Sequence, residues 1–126
     1  MSRDSSPKHE GHDQQWRRED LLRPSHYLGY DRDQLGVYFV ERGAMKLAES
    51  QFRRAVWLNP YEPVFKVHWA GSLLALGQME EARSLIQEVL EKNPENAAAL
   101  RFWRHYWPGS ALPGGANDGG KREPDT

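Results

Sequence analysis

From Asp31 onward the apolar positions recur with a helical period: Leu35, Val37, Tyr38, Phe39 and Val40, then Met45, Leu47, Ala48, Phe52, Ala55 and Val56. Gly43 divides this run into two helices, and Asn59-Pro60 ends the second. Asp31 followed three residues later by Gln34 has the form of a capping box and predicts the start of the first helix there. The pattern then recurs. A helix from Val64 to Leu76 breaks at Gly77, a second runs from Met79 to Lys92, and Asn93-Pro94 stops it. Each unit is therefore predicted to be a helix, a tight turn and an antiparallel helix.

Pro60 and Pro94 stand 34 residues apart, and the same offset pairs Gly43 with Gly77, Met45 with Met79, Ala48 with Ala82 and Ser50 with Ser84. Residue class is also kept at the apolar positions between them: Gly36 with Ala70, Phe39 with Leu73, Phe52 with Ile86, Ala55 with Val89 and Val56 with Leu90. Small residues at 36, 70, 48 and 82 let helix backbones approach, and the larger partners fill the space between. A third unit opens at Ala97. Trp103 pairs with Trp69 and Trp107 with Leu73, but Arg104 falls where Gly36 and Ala70 allow close approach. With Pro108-Gly109 following, 97–107 reads as one terminal helix covering the stack.

This pattern resembles the tetratricopeptide-repeat family, whose signature is W-x2-L-G-x2-Y, then A-x3-F, then P over about 34 residues. Leu35-Gly36, Phe39, Ala48, Phe52, Ala55 and Pro60 match it, with Arg32 in place of the Trp. In the second unit Lys66 replaces the Trp, Trp69-Ala70 replaces Leu-Gly and Leu73 replaces Tyr, before Ala82, Ile86, Val89 and Pro94 complete it. The resemblance implies an all-α fold of tandem antiparallel hairpins, a fragment of a right-handed solenoid covering 30–108. It further implies a protein-protein interaction module, whether adaptor, scaffold, accessory subunit or chaperone. A stack this short, below the about three repeats such folds generally need, calls for help from a partner or from self-association.

In that family the first helices of successive hairpins line a concave groove. By resemblance the lining here is Asp33, Gln34, Val37, Val40 and Glu41, then Val67, His68, Gly71, Leu74 and Ala75, continued by Arg101, Phe102 and His105. Members that grip terminal carboxylates present Lys, Arg and Asn along this surface. The first two hairpins here offer Asp, Val, Glu and Leu, so the expected guest is an apolar helix or extended segment. The groove is alternatively covered by the chain's own lead-in around Trp16 and Leu21. Trp57 projects away from the face made by Ala48, Phe52, Ala55 and Val56, as an interface anchor or as a seat for the N-terminal segment. The rival functional reading is a structural homo-oligomer built by stacking repeat faces.

Composition narrows the alternatives. Formal charge is -1, and it balances locally, with ten basic and ten acidic residues from Asp31 to Trp107, five of each in the first thirty, and two against three in the tail. That leaves no electrostatic footprint for nucleic acid. The aromatic and basic run from Arg101 to Trp107 is explained by the terminal helix. Cysteine is absent, which excludes disulfides and thiolate metal sites. His9 and His12 are spaced like helical metal ligands, but no other donors complete a set. No Ser-His-Asp set, paired carboxylates or phosphate loop is recognisable, so neither catalysis nor a cofactor is expected. Residues 1–29 and 109–126 are too polar to fold alone, apart from a short helix near 14–23. No signal-like or membrane-spanning apolar run occurs, and a cytoplasmic protein is the expectation.

Overall fold

The computed structural model describes residues 26–115. Among them are five α-helices, a short 3-10 turn at Pro113–Gly115 and no strand. The helices are α1 (Tyr30–Glu41), α2 (Met45–Leu58), α3 (Pro63–Ala75), α4 (Met79–Lys92) and α5 (Ala97–Tyr106). The chain is all-α, and each helix packs on the next, with α1 also touching α3 and α3 touching α5. The two units of the sequence pattern are thus two helical hairpins, α1–α2 and α3–α4, followed by a fifth helix.

Both hairpin turns are built alike. At the end of α1 the Gly43 and Ala44 amides donate to the carbonyls of Val40 and Phe39, at 3.0 and 2.9 Å. At the end of α3 the Gly77 and Gln78 amides donate to Leu74 and Leu73, at 3.0 and 2.8 Å. These are Schellman closures, which need a left-handed residue just past the helix; Gly43 and Gly77 supply it with φ of 76° and 83°. The first Asn-Pro stop works by a different device. Asn59 is buried and its Oδ1 accepts from the Tyr61 amide, which turns the chain before Pro63 opens α3.

The start of α1 departs from the capping box. Asp31 and Gln34 lie inside the helix, and the N-cap is Gly29, with φ 95° and no side-chain capping bond. Packing decides this position. A Cβ on Gly29 would meet the Phe65 ring at 2.8 Å and the Ala55 carbonyl oxygen at 2.9 Å, so only glycine lets the chain enter α1 so close to α2 and α3. Asp31 and Asp33 instead sit in the first helical turn, where the dipole favours negative charge.

Close packing falls where the small residues predict it. Gly36 lies directly against the Phe52 ring, and Ala48, Phe52, Ala55 and Phe65 are all buried. A continuous core joins Ala70, Leu73, Ala82, Ile86, Val89 and Leu90 of the second hairpin to Ala99, Trp103 and Trp107. The fifth helix therefore covers the second hairpin through its two tryptophans, with Arg104 exposed.

Packing does not stop at Pro108, where the sequence reading ends the domain and begins an unfolded tail. Leu112 packs on the same core, Ser110 accepts from Arg83 at 3.1 Å, and the 3-10 turn lies on α4. This corrects the tail boundary over 109–115. Few apolar side chains are needed there, because a pre-formed surface of Arg83 and Trp103 receives the chain. The expected short helix near 14–23 lies outside the described residues.

Candidate functional site

The predicted site residues fall in three places. Val67, Arg101, Phe102 and His105 are brought together, with Ala98, Arg104 and Tyr106, around an open depression of about 640 Å3 between α3 and α5. Gly71 adjoins it, since a Cβ there would stand 4.0 Å from the Phe102 ring. Val67, Leu74 and Phe102 are half-buried and also rest on the main core, so their inner faces are already used in packing. The floor is apolar and aromatic, Phe102 lying 4.9 Å from Tyr106 between ring centroids, while Arg101, Arg104 and His105 form a basic rim. Among the described residues no acidic side chain lines it.

The second group is on α1. Val37 is half-buried, whereas Val40 and Glu41 are exposed and do not line the α3–α5 depression. Two of the expected groove residues are occupied with each other. His68 Nδ1 stands 2.8 and 3.1 Å from the two carboxylate oxygens of Asp33, so they join α3 to α1. Asp33 is only 8% exposed and is part of the inter-hairpin contact rather than of an open surface.

Trp57 lies apart from the groove. Its indole is 53% exposed and, with Leu58, Arg32, Arg53 and Arg54, it lines a separate cleft of about 470 Å3 at the seam of α1 and α2. Arg32 donates to Gln51 Oε1 at 3.4 Å and Arg53 stands 3.9 Å from Glu49, both long, weak contacts. On the same helices, Leu35 and Leu47 are exposed.

A third surface has no counterpart among the sequence expectations. An open cleft of about 680 Å3 separates α2 from α4, with Trp69 and Leu73 of α3 at its base and Lys46, Glu49, Arg53, Glu81 and Glu88 on its walls. Trp69 stands where the repeat signature has Leu, and the indole N–H it adds donates to Glu49 Oε2 at 2.8 Å. That departure from the signature was the available signal. Lys66, at the signature's first Trp position, likewise reaches across its hairpin to Glu88 at 3.4 Å.

Among the described residues no group of three His, Asp or Glu side chains converges as a metal site, and His9 and His12 lie outside them. No helix among them is long and apolar enough to cross a membrane. The lead-in residues Trp16 and Leu21, the alternative cover for the groove, are also outside the described residues. Comparison with family models, curated proteins and solved structures finds no match to this chain.

Proposed function

We propose that the chain is a protein-interaction module of tetratricopeptide type, and that the depression between α3 and α5 holds an apolar segment of a partner protein. The observation that supports this reading is the lining: Val67, Phe102 and Tyr106 form the floor, with Arg101 and His105 on the rim and no acid among the described residues that line it. Apolar side chains of the guest fill the floor, and an acidic residue beside them pairs with the rim. The module acts as an adaptor, scaffold, accessory subunit or chaperone in the cytoplasm, without catalysis or cofactor. Affinity follows from desolvated apolar contact, at roughly 25 cal/mol per Å2 before ordering costs.

The test compares partners captured by the full chain with those captured by a Phe102→Glu chain and a Trp57→Ala chain. Loss of the same partner from the first variant alone is expected. Equal recovery by the wild-type and Phe102→Glu chains would sink the groove reading.

A second reading, assembly of copies through the ends of the stack, is favoured by exposed Leu35, Leu47 and Trp57. Molar mass across a dilution series separates the two. Concentration-dependent growth favours stacking, and a constant monomer favours the adaptor.

A further inference from the structure

Equivalent positions of the two hairpins, 34 residues apart, differ in how their charges are met. In the second hairpin Lys66 of α3 and Glu88 of α4 form an ion pair at 3.4 Å. Their counterparts in the first hairpin are Arg32 of α1 and Arg54 of α2, both cations. Gln87, which donates to Glu91 at 3.2 Å, is matched by Arg53, and Glu91 by Trp57. Positions that satisfy one another in one repeat therefore carry three guanidinium groups and an indole in the other.

These side chains converge. Arg32, Arg53, Arg54, Trp57 and Leu58 line one open cleft of about 470 Å3, and no acid lines it among the described residues. Arg32 makes the long bond to Gln51 at 3.4 Å, and Arg53 stands 3.9 Å from Glu49. Glu49 is itself taken up by the Trp69 indole at 2.8 Å. Arg54 has neither an ion pair nor a side-chain hydrogen bond among the described residues. Cations gathered on one cleft repel each other, and a carboxylate entering it relieves the repulsion while accepting forked guanidinium bonds. The Trp57 indole, exposed beside them, adds an apolar face that a guest would desolvate.

We propose that this cleft is a second binding site, whose occupant is a short acidic segment of another protein carrying one bulky apolar side chain. That side chain lies on the Trp57 indole, and the carboxylates flanking it face Arg32 and Arg54. Charge complementarity selects the acid, and the indole selects a peptide over a simple anion. A nucleic-acid strand is a poorer fit, because a single indole offers no run of stacking surfaces. Asp31 beside Arg32 and Glu49 one turn before Arg53 would also repel phosphates extending past the cleft. The cleft shares no lining residue with the α3–α5 depression, so the inference stands independently of the function proposed there.

The test titrates the full chain with a blocked heptapeptide, EEDFDEE, and follows the Trp57 indole N–H resonance, identified by its absence in Trp57→Phe. A saturable shift is expected, half-complete below about 1 mM and weakened by salt. The blocked peptides KKRFRKK and EEDGDEE should bind about tenfold more weakly, or not at all. Arg32→Glu with Arg54→Glu should weaken EEDFDEE about tenfold and make KKRFRKK the better ligand, a reversal that an unfolded variant does not give. No saturable shift, equal responses to the three peptides, or unchanged binding of EEDFDEE by that variant would overturn the proposal. Octathymidylate or phosphatidylserine vesicles that move the resonance at lower concentration than EEDFDEE would overturn it in favour of nucleic acid or a membrane. A shift produced by concentrating the chain alone would make a second copy the occupant and overturn it likewise.

Discussion

His68 of α3 holds Asp33 of α1 through its Nδ1, 2.8 Å from Oδ1 and 3.1 Å from Oδ2, across a sequence separation of 35 residues. The carboxylate is nearly buried and the imidazole is part-exposed, so Asp33 depends on this contact for the partner that water would otherwise provide. Tyr30 to Glu62 and Trp69 to Glu49 make further polar links between the hairpins. The joint between the two repeats is therefore polar as well as packed.

Removing the imidazole strands the carboxylate. His68→Ala is expected to lower unfolding free energy by about 1–3 kcal/mol, the cost of an unsatisfied buried polar group. Adding Asp33→Leu to it should recover part of the loss. Urea unfolding of the two single variants and the double variant measures this. Additive losses would show that the pair is uncoupled.

Gly36 is a second point of leverage. A Cβ there would overlap the Phe52 ring, which is itself buried and has little room to retreat. Gly36→Ala is expected to cost about 1–3 kcal/mol by overpacking, despite alanine's better helix propensity. Phe52→Leu in the same chain should relieve the overlap, so thermal midpoints of the pair test the contact itself.

Alkaline pH should loosen the first hairpin joint. The Tyr30 hydroxyl donates to Glu62 Oε1 at 2.8 Å, and that bond, followed by desolvation and the Glu62 charge, raises its pKa above the usual tyrosine value. A raised folded value means that the folded state holds the proton more firmly. The contribution is complete below the unfolded pKa of about 10 and is lost as pH rises through the folded value. Stability of the natural chain should therefore fall more steeply in this range than that of Tyr30→Phe. Parallel profiles would remove Tyr30 from the joint.

The segment beyond α5 should contribute measurably. Leu112 is half-buried on the main core, and Arg83 joins the segment through Ser110 while lying over the Trp103 ring at 5.1 Å. Leu112→Ser is expected to lower stability by about 1–2 kcal/mol, as for loss of a partly buried aliphatic side chain. The same substitution at the exposed Ala111 should leave denaturant midpoints unchanged.

Much of the architecture was legible because it is local. Apolar periodicity marks each helix, and the Schellman closures require a left-handed residue that Gly43 and Gly77 provide without strain. Close approach at Gly36 also showed, because a missing side chain on a helix face signals it, although that the Phe52 ring fills the space is seen only in the structure. The start of α1 was misread for a related reason. A capping box is a local pattern, whereas Gly29 is selected by Phe65, 36 positions away in the sequence, and by Ala55.

The candidate site was less legible. The family resemblance implied Val67, Arg101, Phe102 and His105 as neighbours on one surface, and these four line one depression. It did not show that His68 and Asp33 would occupy each other, or that Trp69 would bond Glu49 at the base of another cleft. Whether two polar side chains on different hairpins meet depends on the rotation of one hairpin against the next, which no single helical period contains.

By itself, the sequence determined two hairpins at a spacing of 34 residues and a terminal aromatic helix, since turn chemistry and apolar period act within a few residues. It also determined that Trp57 would project outward. Only the tertiary structure decided that Asp33 would be paired, that 109–115 would be packed, and that Val67 and Phe102 would line a depression between α3 and α5 while Val40 and Glu41 would not. Those outcomes depend on surfaces that exist only once α1, α3 and α5 are side by side.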